Sequence, residues 1–198
     1  LSELLAASCP GADLLTPSEA ALADLNRYDA FALLCGVKGG GQTLLPHARK
    51  AVEAQIRQGK PFFSEFCQMI GNLRSYEVKS TRYERPVVLS AAPVAGGLDT
   101  GLILDEQSNE RVCYFNAAGT PFMQYVRNPA GFYNVPDPAA IEPRKLDYAL
   151  FLAQENLLVC TFRLCNFAKA KFAPRQAWSR LVAGLVTWLG GRCTPEDV

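Results

Sequence analysis

The chain has 198 residues, 49% of them hydrophobic and 20% charged, with a formal net charge of +1. That length suits one domain with a sizeable core, and the near-neutral balance removes the electrostatic case for nucleic acid or an anionic lipid surface. No apolar run approaches the ~20 residues of a membrane-spanning helix, so neither nucleic acid nor membrane is expected as a partner.

Residues Leu1 to Ala7 read as the end of a helix, with Leu1, Leu4 and Leu5 on one face and Cys9-Pro10-Gly11 as its stop. Ala12 to Leu15 is a short strand candidate. Thr16-Pro17-Ser18-Glu19 then caps a helix through Leu25: Thr16 is the N-cap, Pro17 takes the first helical position and Glu19 completes a capping box. Tyr28 to Cys35 is a nearly continuous apolar run, as in a strand buried on both faces of a parallel sheet. It ends in Gly36, and Gly39-Gly40-Gly41 makes a flexible loop that lacks any phosphate-binding signature.

Leu44 to Gln58 carries Leu45, Ala48, Val52 and Ile56 at helical spacing, with Gly59 as its end, and Pro61 to Phe66 is the next strand. Strand, helix and strand in this order predict a right-handed βαβ unit. A short helix is expected from Gln68 to about Tyr76, then a polar connection over Lys79 to Arg85 and a strand over Pro86 to Ser90. Short strands follow at Gly101 to Asp105, Arg111 to Phe115, Phe122 to Arg127 and Phe132 to Val135, making a β-rich insertion over about 97–145. Asp147 to Leu152 comes next, Leu157 to Phe162 is the last buried strand, and a final helix after Pro174 turns Trp178, Leu181, Val182, Leu185, Val186 and Leu189 toward the sheet. The expected architecture is an α/β three-layer sandwich of the flavodoxin-like kind, with a mostly parallel sheet, in one domain over 1–198. A doubly wound domain opens on a strand whereas this chain opens on a helix, so the first strand is expected upstream of Leu1.

Seven cysteines lie scattered at Cys9, Cys35, Cys67, Cys113, Cys160, Cys165 and Cys193. None pairs as CxxC and the chain has a single histidine, so no zinc site, and no other metal or cofactor, is expected. Cys35, Cys67, Cys113 and Cys160 fall in or beside strand-like runs, where free cysteine behaves as a small apolar residue. That usage points to a reducing, cytoplasmic compartment.

Candidate chemistry gathers after Lys60-Pro61-Phe62-Phe63, where Ser64-Glu65-Phe66-Cys67 ends a strand and the chain turns sharply. A strand-to-helix elbow can lift one side chain out of the fold, which makes Cys67 a candidate nucleophile. By strand alternation Glu65 lies opposite Phe66 at the carboxyl edge of the sheet, where α/β proteins bind ligands. There it could contact a sugar hydroxyl or anchor the next loop. Arg163 and Asn166, after the last buried strand, would face the same crevice, with Gly39 and Gly40 beside it. Tyr114, Phe115, Phe122, Tyr125, Phe132 and Tyr133, with Asn116, Gln124, Arg127 and Asn134 among them, suit either a sugar-stacking surface or the core of the insertion, and the core is favoured.

The Tyr28 to Leu34 run, Gly36 and Gln58-Gly59-Lys60-Pro61-Phe62-Phe63 resemble the class I glutamine amidotransferase-like superfamily over residues 1 to 78, and more loosely over 155 to 190. That resemblance implies a nucleophilic cysteine five residues after the strand's proline and a histidine base after the last strand. Five residues from Pro61 is Phe66, so Cys67 stands one place late, and Cys160 to Phe167 contains no histidine; His47 begins the helix before the elbow. Phe63-Ser64-Glu65-Phe66 and the Arg163 to Trp178 stretch are closer to the degenerate branch of the superfamily associated with bacterial carbohydrate-processing, trehalose-utilisation-like proteins. The resemblance implies a non-catalytic binding or assembly module of a larger protein, with a carbohydrate or small polar ligand and contacts to a neighbouring domain or a second copy. The alternatives are a hydrolase or lyase using Cys67 with Glu65, and a structural oligomerisation domain.

Overall fold

A computed structural model describes residues 1–34, 44–80, 83–104, 111–116, 118–129, 139, 141–164 and 174–198. Among them the helices are α1 (Ser2–Ser8), α2 (Pro17–Leu22), α3 (Pro46–Arg57) and α4 (Arg175–Trp188). The strands are β1 (Phe31–Leu33), β2 (Phe62–Glu65), β3 (Met69–Ile70), β4 (Leu73–Arg74), β5 (Glu77–Ser80), β6 (Glu84–Val88), β7 (Arg111–Tyr114), β8 (Thr120–Arg127), β9 (Glu142–Gln154) and β10 (Leu157–Cys160). The fold is mixed α/β. Six strands form the main sheet in the order β1-β2-β10-β9-β8-β6.

Three neighbours, β1, β2 and β10, run parallel, while β9, β8 and β6 pair antiparallel. The sheet expected to be mostly parallel is therefore mixed, with two parallel and three antiparallel pairings. The reason is local: Glu155 and Asn156 turn β9 straight back into β10, and a tight turn can join only antiparallel strands. Alternation then buries both faces. Phe63, Leu158, Cys160 and Leu150 point to a core shared with Trp178, Leu181 and Leu185 of α4, and Phe62, Leu157, Val159 and Phe151 to one shared with Ala48, Val52 and Ile56 of α3.

The β1–α3–β2 unit forms as the spacing predicts, with Phe31, Ala32 and Leu33 in register with Phe62, Phe63 and Ser64. Gly59, at φ 78, closes the end of α3. Lys60 then folds back, its Nζ donating to Tyr28 O at 2.7 Å and Asn26 O at 3.1 Å. Asn156 Nδ2 donates to Ile56 O and Lys60 O, each at 2.8 Å, tying the start of β2 to the β9–β10 turn. The capping box at Thr16 and Glu19 is present, although α2 ends at Leu22.

Several expectations are corrected. β1 is an edge strand, half-buried at Phe31 and Leu33 and exposed at Ala32, because no described strand lies beyond it. Ala12 to Leu15 forms no strand. No helix follows β2: Met69 to Arg74 is a β3–β4 hairpin turning on Gly71-Asn72, with Gly71 at φ 56. A glycine with positive φ suits a two-residue hairpin turn and opposes a helix. Lys79 to Arg85 is not simply a polar connection, since β5 ends and β6 begins within it and Glu84 and Arg85 are buried. Gly101 to Leu104 forms no strand beyond an isolated bridge. β7 pairs with β5, and Ile103 bridges to Val87. Within the stretch 97–145, β8 and the start of β9 belong to the main sheet. Phe132 to Val135 lies outside the described residues.

Candidate carboxyl-end site

β2 and β10 run side by side and end together, with Glu65 in register with Cys160. One residue on, Phe66 N–H donates to Cys160 O at 2.8 Å, and the Phe66 backbone takes φ 51 with its ring wholly buried. A bulky residue in the left-handed region is strained by about 1–3 kcal/mol and persists only where its surroundings hold it. Here the hydrogen bond to β10 and the Phe66 ring within the α3-side core do so. Arg163 lies over that ring, with Cζ 5.2 Å from its centroid.

Glu65 is 2% exposed, and its Oε1 accepts the Leu164 N–H at 2.7 Å. The carboxylate thus anchors the loop after β10, where the sequence suggested the loop that follows Glu65 itself. Cys67 is equally buried, and its Sγ donates to Glu65 O at 3.4 Å. His47 is exposed in the first turn of α3. Arg163 thus lies over Phe66, on the residue that alternation sets opposite Glu65, and the loop that bears it is held by Glu65 through Leu164 N–H. Gly39, Gly40 and Asn166 lie outside the described residues.

The loop anchored by Glu65 is also held from the other side. Thr161 N–H donates to Ala149 O at 3.0 Å, Thr161 O accepts Cys113 N–H at 2.8 Å, and its hydroxyl meets Tyr125 Oη at 2.9 Å. Tyr125 packs edge-on against Tyr114, 5.3 Å between centroids. Tyr114 in turn donates its hydroxyl to the buried Glu84 carboxylate, beside which Lys79 lies at 3.9 Å. This polar chain escaped the sequence reading. The signal available was Glu84-Arg85 directly before an apolar strand, where two charges are buried only if partnered. Tyr114, Phe115, Phe122 and Tyr125 are core residues, in line with the favoured reading of the aromatic cluster. Phe132 and Tyr133 lie outside the described residues.

Chemically, the arrangement is rigid and closed. The buried carboxylate is occupied by a backbone amide, the thiol is turned to a backbone carbonyl, and the residue with the strained backbone is a phenylalanine. Among the described residues no group of three or more His, Cys, Asp or Glu is placed to hold a metal, and no helix is long and apolar enough to cross a membrane. Comparison with protein-family models, with curated proteins and with solved structures finds no match for this chain.

Proposed function

We propose that the chain is a non-catalytic, class I glutamine amidotransferase-like domain, of the degenerate kind associated with bacterial carbohydrate-processing proteins, and that it serves as a binding or assembly module. Phe66 carries the proposal. It stands five residues after Pro61, where the resemblance calls for the nucleophile, and it holds a positive φ at the end of β2 while its side chain has no nucleophilic atom. The β1–α3–β2 order through Gly59-Lys60-Pro61 and the helices on both sheet faces support the same reading. The Cys67 Sγ is buried and turned to Glu65 O, and the chain's one histidine, His47, is exposed on α3, whereas nucleophilic attack needs a thiolate that a substrate can reach. Arg163, half-buried over the Phe66 ring, is the residue through which this edge would meet a carbohydrate or another small polar ligand.

The test is thiol chemistry with ligand screening. Cys67 is expected to react with iodoacetamide at least tenfold more slowly at pH 7.5 than a free cysteine, roughly as buried structural thiols do. A panel of mono- and disaccharides is expected to contain at least one that raises the melting temperature, with Arg163→Ala abolishing the shift. Rapid alkylation of Cys67 would turn the reading to a Cys67-dependent hydrolase or lyase. A panel that shifts nothing would leave assembly, without a sugar, as the module's role.

A further inference from the structure

The sheet is unfinished at β1. Phe31 N–H donates inward to Pro61 O at 2.9 Å, so strand alternation turns the N–H and C=O of Ala32 toward the outer edge. Among the described residues no strand pairs there, and Ala32 is exposed. A cavity of about 860 Å³ lies along this edge. Its floor is the unbroken stretch 28–34. Leu5 of α1 and Leu189 after α4 line one side, Leu44 with Ala48 and Val52 of α3 line another, and the irregular stretch 12–16 also borders it. None of Glu65, Phe66, Cys67 and Arg163 contributes, so the cavity is independent of the carboxyl-end site.

An open strand edge is a template for another strand. This one is walled by apolar side chains on both faces, so its occupant must offer in-plane hydrogen bonds to Ala32 and apolar groups above and below. An extended peptide does both. A small apolar molecule would fill the walls and leave the Ala32 amide without a partner, which is costly once water is displaced. Charge narrows the choice. The charged residues lining the cavity are Asp13, Arg27 and Asp29, and the first two pair with each other at 2.5 Å, so the net charge at the rim is that of Asp29, where β1 is about to begin. A partner matched to this rim is apolar along its length and positive at one end.

We propose that the slot is a docking site for an extended apolar peptide strand of about five residues. The strand adds to β1 in parallel, continuing the β10–β2–β1 half of the sheet, and carries a lysine or arginine at its N-terminal end beside Asp29. The probe is a capped, fluorescein-labelled Lys-Val-Ile-Val-Leu-Val peptide, titrated by anisotropy into the 198-residue chain at low salt, with amide exchange followed by NMR. Saturable binding is expected, with exchange at Ala32 slowed at least tenfold. Of the two alternately N-methylated peptides, the one whose methyl groups face β1 is expected to bind at least tenfold more weakly. Asp29→Asn is expected to weaken the lysine-bearing peptide severalfold and leave the melting temperature unchanged. Equal binding of both N-methylated peptides and the parent, or an unprotected Ala32, would mean a plain apolar pocket and overturn the proposal. So would absence of binding, or self-association of the chain that shields Ala32 without peptide, which would make a second copy the occupant. An affinity indifferent to Asp29→Asn overturns the assigned direction.

Discussion

Glu65 and Phe66 are adjacent in sequence and opposite in use. Phe66 holds a strained backbone because the hydrogen bond to Cys160 O and its own buried ring leave no relaxed alternative. Glu65 turns its carboxylate to the backbone amide of Leu164. A buried amide deprived of its acceptor bears the full cost of its lost hydration, about 1–3 kcal/mol, whereas a neutral acceptor of the same shape keeps most of the bond. Glu65→Ala is therefore expected to destabilise the domain by roughly that amount in urea unfolding, and Glu65→Gln by clearly less. Equal losses for the two variants would mean that the negative charge, and not the hydrogen bond, holds the loop.

Among the elements, the stretch before β1 depends on a clip that only the fold assembles. Asp13 Oδ2 accepts from Tyr28 Oη and from Arg27 Nη2, both at 2.5 Å, so three residues 14 and 15 positions apart hold stretch 12–16 against the entry to β1. The Tyr28 hydroxyl holds the Asp13 carboxyl below the usual aspartate range, and the Arg27 charge and hydrogen bond add to this against an opposing desolvation. A carboxyl depressed in the folded state contributes stability that is complete above its unfolded pKa and is lost as pH falls through its folded one. Acidification below the ordinary aspartate range is thus expected to release the clip, seen as a shift of the Tyr28 ring signals by NMR. In Asp13→Asn those signals should not move over the same interval, and a wild-type titration that survives the substitution would assign the effect to another group. The β3–β4 hairpin illustrates a different point. Met69 and Ile70 suit a helix as well as a strand, and Gly71-Asn72 with the buried Ile70 decides for the hairpin.

At the scale of the whole molecule, the layers close because backbones approach where side chains are missing. Gly184 lets α4 meet the short turn Pro93–Ala95, and a methyl group there would run into the Pro93 carbonyl. Gly96, at φ 71, lies against the Arg180 carbonyl, and Arg180 Nε donates to Gly96 O at 3.1 Å. Val94, Ala95 and Leu98 are thereby pressed into the same core as Trp178, which stands edge-on to Phe162, 5.5 Å between centroids. Adding a methyl group to so close a contact costs about 1–3 kcal/mol. Gly184→Ala is accordingly expected to lower the melting temperature by several degrees, and a variant as stable as the parent would show that the turn can move off α4 without cost.

The sequence by itself determined the elements whose information is local. The amphipathic stripe of α3 and its terminal Gly59, the capping box at Thr16, the apolar face of α4 and the unbroken Leu157 to Cys160 run each state their own geometry within one stretch of chain. That Glu65 and the stretch after Leu157 to Cys160 lie near each other was legible because parallel strands end at one edge of a sheet. Partnership was not legible, since hydrogen bonds between strands leave no mark on residue spacing. Only the tertiary structure decided that β9 returns antiparallel to β10, that β7 pairs with β5, and that Glu84 and Arg85 are buried charges in a polar chain rather than a solvated connection. The same holds for Phe66: its composition says core, and only the alignment of β2 with β10 gives it a left-handed backbone at the end of β2.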